Sequence, residues 1–233
     1  MTDVAYAIPR AAGALRGEGG GGAAPLASDR EHAPDARASP VALLLIDVIN
    51  PMDFEGAEAL LPAALSAASH IVELKRRARA ACVPVIYVND NFDCWYLGFR
   101  ELVEKLRAET VPGARIIELL APESGFDFYV LKPSHSGFFR TGLEVLLERL
   151  EVQTLVLTGF AGDICVLFTA NDAYMRGFEV VVPADCVASE READNAHALR
   201  HMARLLKASV ATSDAIEFGA PEQAGSERKA SMR

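Results

Sequence analysis

Three residues whose side chains can carry out nucleophilic chemistry stand at or just beyond the ends of apolar segments. Asp47 ends the run VALLLID, Lys132 ends FDFYVLK, and Cys165 follows VQTLVLTGF after four residues. A thiolate nucleophile needs a base that takes its proton and a cation that stabilises the negative charge. A carboxylate, an ammonium group and a thiol at one edge of a single sheet would supply these functions.

Each of the three residues also has a simple structural interpretation. Asp47 could be a loop carboxylate or a helix cap, and Lys132 could be a solvated lysine. Cys165 could be a small buried apolar residue, as most free cysteines are. However, it lies in the first turn of a predicted helix, where unpaired N–H groups and the helix dipole favour a thiolate. It is the combination of the three that favours catalysis.

The segments around these residues alternate between strand and helix patterns. Apolar runs predict strands at 41–47, 83–90, 126–132, 152–160 and 178–183, with 209–212 as a candidate sixth strand. Helical patterns cover 60–81, 97–109, 114–120, 141–150, 163–176 and 190–207. This alternation predicts an α/β protein of three layers (α/β/α) with a mainly parallel sheet. Ligands of such sheets bind beyond the carboxyl ends of the strands, where the three candidate residues lie.

Composition and charge exclude several classes of protein. The chain has 233 residues, of which 51% are hydrophobic, and a net charge of −9. It can therefore bury a substantial core, and its acidic character argues against a nucleic-acid partner. No apolar run approaches the roughly 18 residues that a bilayer span needs, so we expect no membrane association. The widely spaced cysteines predict reduced thiols in a cytoplasmic protein; they are Cys82, Cys94, Cys165 and Cys186.

The chain divides into three parts by composition. Residues 1–39 are rich in Gly, Ala, Pro and mixed charge and are predicted to form a flexible arm. Residues 40–218 contain the alternating elements and form the predicted folded domain. Residues 219–233 are short and polar, and we expect a frayed tail.

The motifs LLIDVIN, YVNDNF, LKPSHSGFF and TGFAGDICV, in this order, resemble those of the isochorismatase-like cysteine hydrolases. This family includes nicotinamidases and N-carbamoylsarcosine amidase, and the resemblance extends from about Val41 to Ser213. It implies a six-stranded sheet of order 3-2-1-4-5-6. Asp47 and Cys165 would then meet at the switch point, and Lys132 would reach in from a more distant strand. It also implies a homo-oligomer, either a dimer or a tetramer.

The Asp–Lys–Cys triad of this family corresponds to Asp47, Lys132 and Cys165. By this resemblance Asp47 deprotonates the thiol, returns the proton to the departing amine and later activates the water. Lys132 keeps Asp47 ionised and helps to hold the thiolate. The resemblance further implies a cis peptide bond between Phe160 and Ala161, and an oxyanion hole formed by the N–H groups of Ala161 and Cys165. The implied activity is hydrolysis of a C–N bond in a small amide, carbamoyl or ureido compound through a thioester intermediate.

Two motifs depart from the family pattern. The first usually continues Asp-x-Gln-Asn-Asp-Phe, but here Ile49 replaces the Gln and Pro51-Met52 lengthens the loop. The fourth motif usually has Thr where Gly162 stands. Both changes predict a reshaped backbone close to the nucleophile without loss of the triad.

The segment after the second strand argues against a metal site. Nicotinamidases have a metal-binding Asp-x-His there, whereas this chain has NDNFDCW and no histidine between His70 and His135. We therefore expect neither a metal nor another cofactor. True isochorismatases cleave a vinyl ether without a nucleophilic cysteine, so Cys165 favours C–N hydrolysis. Ether hydrolysis and a binding scaffold that has lost its activity remain alternatives.

Aromatic and polar side chains in the strand-end loops are candidates for the wall of a small-molecule pocket. They are Phe54, Asn91, Phe92, Trp95 and His135. The aromatic residues could instead cover the core or contact a partner subunit, and the polar residues could serve loop structure through hydrogen bonds.

Overall fold

The computed structural model describes residues 39–218 of the chain. The predicted tail and all of the predicted arm except Ser39 lie outside the described residues. Within these described residues lie six strands: β1 Val41–Ile46, β2 Val85–Asp90, β3 Asp127–Lys132, β4 Thr154–Phe160, β5 Glu179–Val181 and β6 Val187–Ala188. The α-helices are α1 Ala57–Ala80, α2 Phe99–Ala108, α3 Ala114–Leu119, α4 Leu143–Arg149, α5 Leu167–Met175 and α6 Glu192–Leu205. None of the described helices is long and apolar enough to cross a membrane.

The strands form one parallel sheet in the order β3-β2-β1-β4-β5. At the carboxyl edge, Ile46 of β1 pairs with Val88 of β2 and with Gly159 of β4. Asp90 of β2 pairs with Lys132 of β3. The predicted α/β fold and the order of the first five strands are confirmed, and the ends of β1, β2, β3 and β4 lie side by side.

Beyond β5 the sheet gains two short segments, β6 and the segment predicted as a strand at 209–212. After β5 the chain turns through Ala184–Cys186 and β6 pairs with the last residues of β4. Ser209 then pairs in parallel with Val181 on the outer side of β5, where its N–H donates to the carbonyl oxygen of Val180 at 3.1 Å and its carbonyl oxygen accepts from the N–H of Val182 at 2.7 Å. Predicted strand 178–183 is shortened to β5 because Pro183 has no N–H group to continue the ladder.

Alternating residues of β1 contribute to two separate cores, which explains its uninterrupted apolar sequence. Leu43 and Leu45 pack on the face covered by α1, α2 and α3. Leu44 and Ile46 pack on the opposite face, with α4, α5 and α6. A strand buried on both faces has no polar positions along its length, so its first polar residue is Asp47 at the edge.

A buried charged cluster fixes the start of β3, the strand that supplies Lys132. Asp127 accepts hydrogen bonds from Arg79 at 2.6 and 2.7 Å and lies 3.3 Å from the ammonium group of Lys75. Lys75 also donates to the hydroxyl oxygen of Tyr87 at 2.7 Å. These contacts join α1 to β2 and to the edge strand β3.

Candidate active site

Asp47 is fixed by β2, the neighbouring strand. Its N–H donates to the carbonyl oxygen of Val88 at 3.0 Å, and its Oδ1 accepts from the N–H of Asp90 at 2.7 Å. The backbone of Asp47 is left-handed, with φ at 52°, a conformation in which aspartate is more common than most residues. Only 5% of the residue is exposed, so its carboxylate has little access to water.

Asn89 holds the loop that follows Asp47. Its side-chain oxygen accepts from the N–H of Ile49, and its amide nitrogen donates to the carbonyl oxygen of the same residue, both at 3.0 Å. Asn89 is fully buried, and its side chain pairs with Ile49 much as a strand would. Asn89 therefore serves loop structure by anchoring Ile49, the residue that replaces the Gln of the first motif.

Lys132 reaches the site from β3, on the far side of β2. Its Nζ lies 2.8 Å from Oδ2 of Asp47, 3.8 Å from Oδ2 of Asp90 and 3.7 Å from Sγ of Cys165. The residue is 1% exposed. The structure thus brings the carboxylate, the ammonium group and the thiol together, although they come from three different strand ends.

Cys165 lies in a π-helical turn, Gly162–Val166, rather than in the first turn of an α-helix as predicted. The N–H of Val166 donates to the carbonyl oxygen of Ala161, five residues earlier, at 3.1 Å. Such turns are often found at functional sites. The hydroxyl of Thr169 donates to the carbonyl oxygen of Cys165 at 2.7 Å and fixes the turn from the following helix.

The charge state of the thiol differs from the predicted thiolate. Burial and the negative charge of Asp47 together raise the pKa of Cys165 to about 12, and Lys132 only partly opposes them. Burial likewise raises the pKa of Asp47 above its ordinary value, against the effect of Lys132. Asp47 and Cys165 therefore keep one proton between them until high pH, and in the resting site that proton lies on sulfur.

The positive charge of Lys132 is stable in this environment. Burial lowers the pKa of Lys132, but Asp47, Cys165 and Asp90 together outweigh burial, and the pKa is raised overall. Lys132 and Asp47 thus form a buried ion pair next to a neutral thiol.

The backbone beside Cys165 presents groups suited to binding an oxyanion. The peptide bond between Phe160 and Ala161 is cis. Among the described residues, the N–H of Ala161 donates to no acceptor, and that of Cys165 donates to none outside its own turn. Gly159 has φ at 112°, and a Cβ there would lie 2.0 Å from the carbonyl oxygen of Ile46. A larger residue would push β4 away from β1 at the site.

The five candidate pocket residues differ in their surroundings. His135 is exposed, its Nδ1 lies 4.0 Å from Sγ of Cys165, and its ring packs against Phe168 with centroids 5.4 Å apart. Phe54 and Trp95 are 43% and 71% exposed. Among the described hydrogen bonds, ion pairs and ring contacts, neither of them touches a triad residue.

Asn91 and Phe92 have structural contacts. Asn91 is buried, and its side-chain oxygen accepts from the N–H of Asp93 at 3.1 Å. Phe92 packs against the core on the α1 face. These contacts agree with the structural alternatives: Asn91 forms a hydrogen bond within its loop, and Phe92 covers the core. His135 is the candidate that the structure places beside the nucleophile.

Two features of the site were not identified from the sequence. Asp90 is a second carboxylate facing Lys132, and the sequence NDN at the end of β2 was its only signal. The second feature is the close approach of Asn195 to Gly162: a Cβ at Gly162 would lie 2.2 Å from Oδ1 of Asn195. Asn195 accepts from the hydroxyl of Ser189 at 3.2 Å. The side chain of Asn195 therefore fills the space that the missing Cβ of Gly162 leaves.

The residues do not fit a metal site of the nicotinamidase kind. Within residues 39–218, no group of three His, Cys, Asp or Glu side chains could hold a metal ion. Oδ1 of Asp90 accepts from the N–H of Phe92 at 2.7 Å, while Oδ2 faces the ammonium group of Lys132. That positive charge would oppose a bound cation.

Comparison with known proteins points to one family. The isochorismatase domain model matches residues 41–215. The uncharacterized isochorismatase family protein YaaI of Bacillus subtilis is 39% identical over 175 residues, covering 75% of this chain and 95% of that protein. Maleamate amidohydrolase of Pseudomonas putida is 30% identical over 161 residues, covering 66% and 74% of the two chains. The crystal structure of N-carbamoylsarcosine amidase from Thermoplasma acidophilum superposes with a TM-score of 0.60 at 27% identity, covering 77% and 99%.

Proposed function

The chain belongs to the isochorismatase family, and on that basis we propose that it is a metal-independent cysteine hydrolase. Its substrate is a small amide, carbamoyl or ureido compound, and its reaction passes through a thioester on Cys165. The observation that carries the proposal is the convergence of three side chains. The Nζ of Lys132 lies 2.8 Å from the Asp47 carboxylate and 3.7 Å from the Cys165 sulfur.

Acylation begins with transfer of the thiol proton to Asp47. The raised pKa of Asp47 makes its carboxylate a stronger base than an ordinary aspartate. As the proton leaves sulfur, the positive charge of Lys132 stabilises the thiolate that attacks the carbonyl carbon. The N–H groups of Ala161 and Cys165 receive the developing oxyanion. One such donor contributes about 3–4 kcal/mol to barrier lowering in other acyl-transfer enzymes.

The tetrahedral intermediate then breaks its C–N bond: an acid–base group of the site protonates the nitrogen as it leaves, and the acyl group stays on sulfur. Water gives a proton back to that group as it attacks the thioester, the acid is released as the C–S bond breaks, and the sulfur recovers its proton from Asp47. The names of similar proteins support this class of substrate, because they include a maleamate amidohydrolase, an N-carbamoylsarcosine amidase and ureidoacrylate amidohydrolases. Pocket roles for Phe54, Asn91, Phe92 and Trp95, and assembly into a homo-oligomer, stay predictions.

An ammonia-release screen over small primary amides, carbamoyl and ureido compounds tests the proposal. Each hit is repeated with Cys165→Ala and with Cys82→Ala, a control that removes an exposed thiol. We expect loss of activity in the first variant and normal activity in the second. Full activity in Cys165→Ala would show that the hydrolysis does not pass through a thioester on Cys165 and would overturn the proposed mechanism. The absence of any turned-over substrate would favour a binding scaffold.

A further inference from the structure

We propose that His135 is a second acid–base residue of this site. It donates a proton to the departing nitrogen and takes one from the hydrolytic water, while Asp47 exchanges a proton only with the sulfur of Cys165. This assignment rests on the proposed cysteine hydrolysis. It differs from what the family resemblance implied, in which Asp47 serves every proton transfer.

The first observation is where the imidazole lies. Nδ1 of His135 is 4.0 Å from Sγ of Cys165, and His135 is exposed. Among the described residues, its side chain has no other hydrogen-bond partner. Cysteine nucleophiles and their bases are recognised by such proximity, which is often looser before substrate binds. His135 therefore touches the reacting sulfur while remaining accessible to substrate and water.

The second observation is that the structure holds the loop carrying this imidazole in place. Ser136 donates from its hydroxyl to Asp172 of α5 at 2.5 Å. The N–H of Gly137 donates to the hydroxyl oxygen of Thr169 at 3.0 Å, and this hydroxyl donates in turn to the carbonyl oxygen of Cys165. One threonine therefore joins the loop beside His135 to the turn that carries the nucleophile.

The third observation concerns Asp47, whose two oxygens already have partners. Oδ1 accepts from the N–H of Asp90, and Oδ2 lies 2.8 Å from Nζ of Lys132. Asp47 is also buried. The exposed imidazole, 4.0 Å from the sulfur, is instead accessible from solvent, where substrate and water enter. The departing nitrogen and the incoming water occupy the same position, so one group serves both.

The protons balance over one turnover. In acylation, Asp47 takes the thiol proton and the His135 imidazolium gives its proton to the amine as the C–N bond breaks. In deacylation, neutral His135 takes a proton from water as the C–O bond forms. The thioester C–S bond then breaks, and the sulfur recovers its proton from Asp47. The site returns to its starting state with one water consumed.

The charged groups around the imidazole come from every neighbouring element. The thiol of Cys165 faces it directly, and behind the thiol lie Lys132, Asp47 and Asp90. Asp172 of α5 is bonded to the adjacent Ser136. Because deacylation needs the neutral imidazole, its rate in the wild type should rise with pH.

p-Nitrophenyl acetate separates the two half-reactions, because its phenolate leaves without a proton. Acetylation of Cys165 then requires Asp47 but not His135, whereas hydrolysis of the acetyl thioester requires His135. In His135→Gln we expect a normal burst of nitrophenolate, then steady turnover about 100-fold slower than in the wild type. Intact mass spectrometry should show an accumulated acetyl group on Cys165. The pH dependence of deacylation should disappear.

The controls keep the two proposals apart. His197→Gln, which changes an exposed histidine of α6, should behave as wild type, and free imidazole should restore deacylation in His135→Ala. Deacylation at the wild-type rate in His135→Gln would overturn the role of His135 and leave the proposed function standing. The proposed function itself would be overturned if Cys165→Ala gave a burst as large as that of the wild type, or if Cys165 of the wild type were not acetylated.

Discussion

The ammonium group of Lys132 lies 2.8 Å from the carboxylate of Asp47, and both residues are buried. The two residues come from strands that are separated by β2, and they are 85 positions apart in sequence. Neither charge has access to enough water to be stable alone. This ion pair therefore contributes to the integrity of the fold as well as to the chemistry of the thiol.

Replacing Lys132 by Met should destabilise the fold, because it leaves the Asp47 carboxylate buried without its cation. Breaking one partner of a buried pair costs about 3–5 kcal/mol in the free energy of unfolding. Urea denaturation measures this. The double variant Lys132→Met with Asp47→Asn should recover part of the loss, since it removes the unpaired charge. A double variant no more stable than the single one would contradict this account.

Replacing Asp47 by Asn should have opposite effects on turnover and on thiol reactivity. Turnover should be lost, because an amide cannot accept the thiol proton. The pKa of Cys165 should fall, because the negative charge that raises it is gone while Lys132 remains. Iodoacetamide should therefore label Cys165 faster at pH 7.5 than in the wild type, about tenfold for each pKa unit.

Labelling of the exposed Cys82 provides the internal reference in the same sample. In the wild type, Cys165 should react more slowly than Cys82 at pH 7.5. Rapid labelling of wild-type Cys165 would mean that the resting site holds a thiolate.

The acid limb of kcat/KM should lie at a higher pH than an ordinary aspartate would give. Activity requires Asp47 as a carboxylate, so it is lost as pH falls through the pKa of Asp47 in the folded protein. Burial raises that pKa above 3.8. A pH profile of kcat/KM on a hit from the amide screen should therefore show a midpoint above 3.8. Circular dichroism at each pH separates this titration from acid unfolding. A midpoint at or below 3.8 in folded protein would contradict the raised pKa of Asp47.

Replacing Gly162 by Ala should destabilise the turn beside the nucleophile through Asn195. The new Cβ would lie 2.2 Å from Oδ1 of Asn195, so this side chain must move and lose its bonds to Ser189 and to the carbonyl oxygen of Val187. We expect a loss of about 1–3 kcal/mol, from two hydrogen bonds of about 0.5–1.5 kcal/mol each.

A double-mutant cycle with Asn195→Ala tests the cause. Once Asn195 is shortened, the Cβ has room, and the double variant should lose less stability than the sum of the single ones. Simple additivity would show that the two residues are independent. Gly159→Ala is a contrasting control. Its loss of stability should come from the left-handed backbone at Gly159, so adding Asn195→Ala should not reduce that loss.

The chemistry at the strand ends could be predicted from the sequence because a strand buried on both faces has no polar positions of its own. The first polar residue after β1 is therefore Asp47. β3 is an edge strand with polar residues of its own, so Lys132 was predicted from its position at the end of an apolar run and from the motif LKPSHSGFF. Parallel topology then places these ends at one edge of the sheet. The same alternation of elements predicted the three layers, and the motifs predicted the family.

Boundaries and weak pairings were less predictable. The segment predicted as a strand at 209–212 pairs with β5 through Ser209, but the short β6 at Val187–Ala188 was not predicted, because its pairing with the end of β4 depends on where the chain turns after Pro183. The helix predicted at 163–176 begins instead with the π-helical turn Gly162–Val166, in which the N–H of Val166 bonds to the carbonyl oxygen of Ala161, five residues earlier.

Three features of the site depend on the tertiary structure alone. They are the charge of the Cys165 thiol, the contact of His135 with that thiol, and the position of the Asn195 side chain next to Gly162. Sequence spacing showed that Cys165, Lys132 and Asp47 share an edge, but the pKa of the thiol depends on burial and on distances of a few ångströms across three elements. His135 is 30 positions from Cys165, and Asn195 is 33 positions from Gly162. Contacts of this kind arise where separate elements pack against each other, and no local pattern in the sequence records which side chains will meet there.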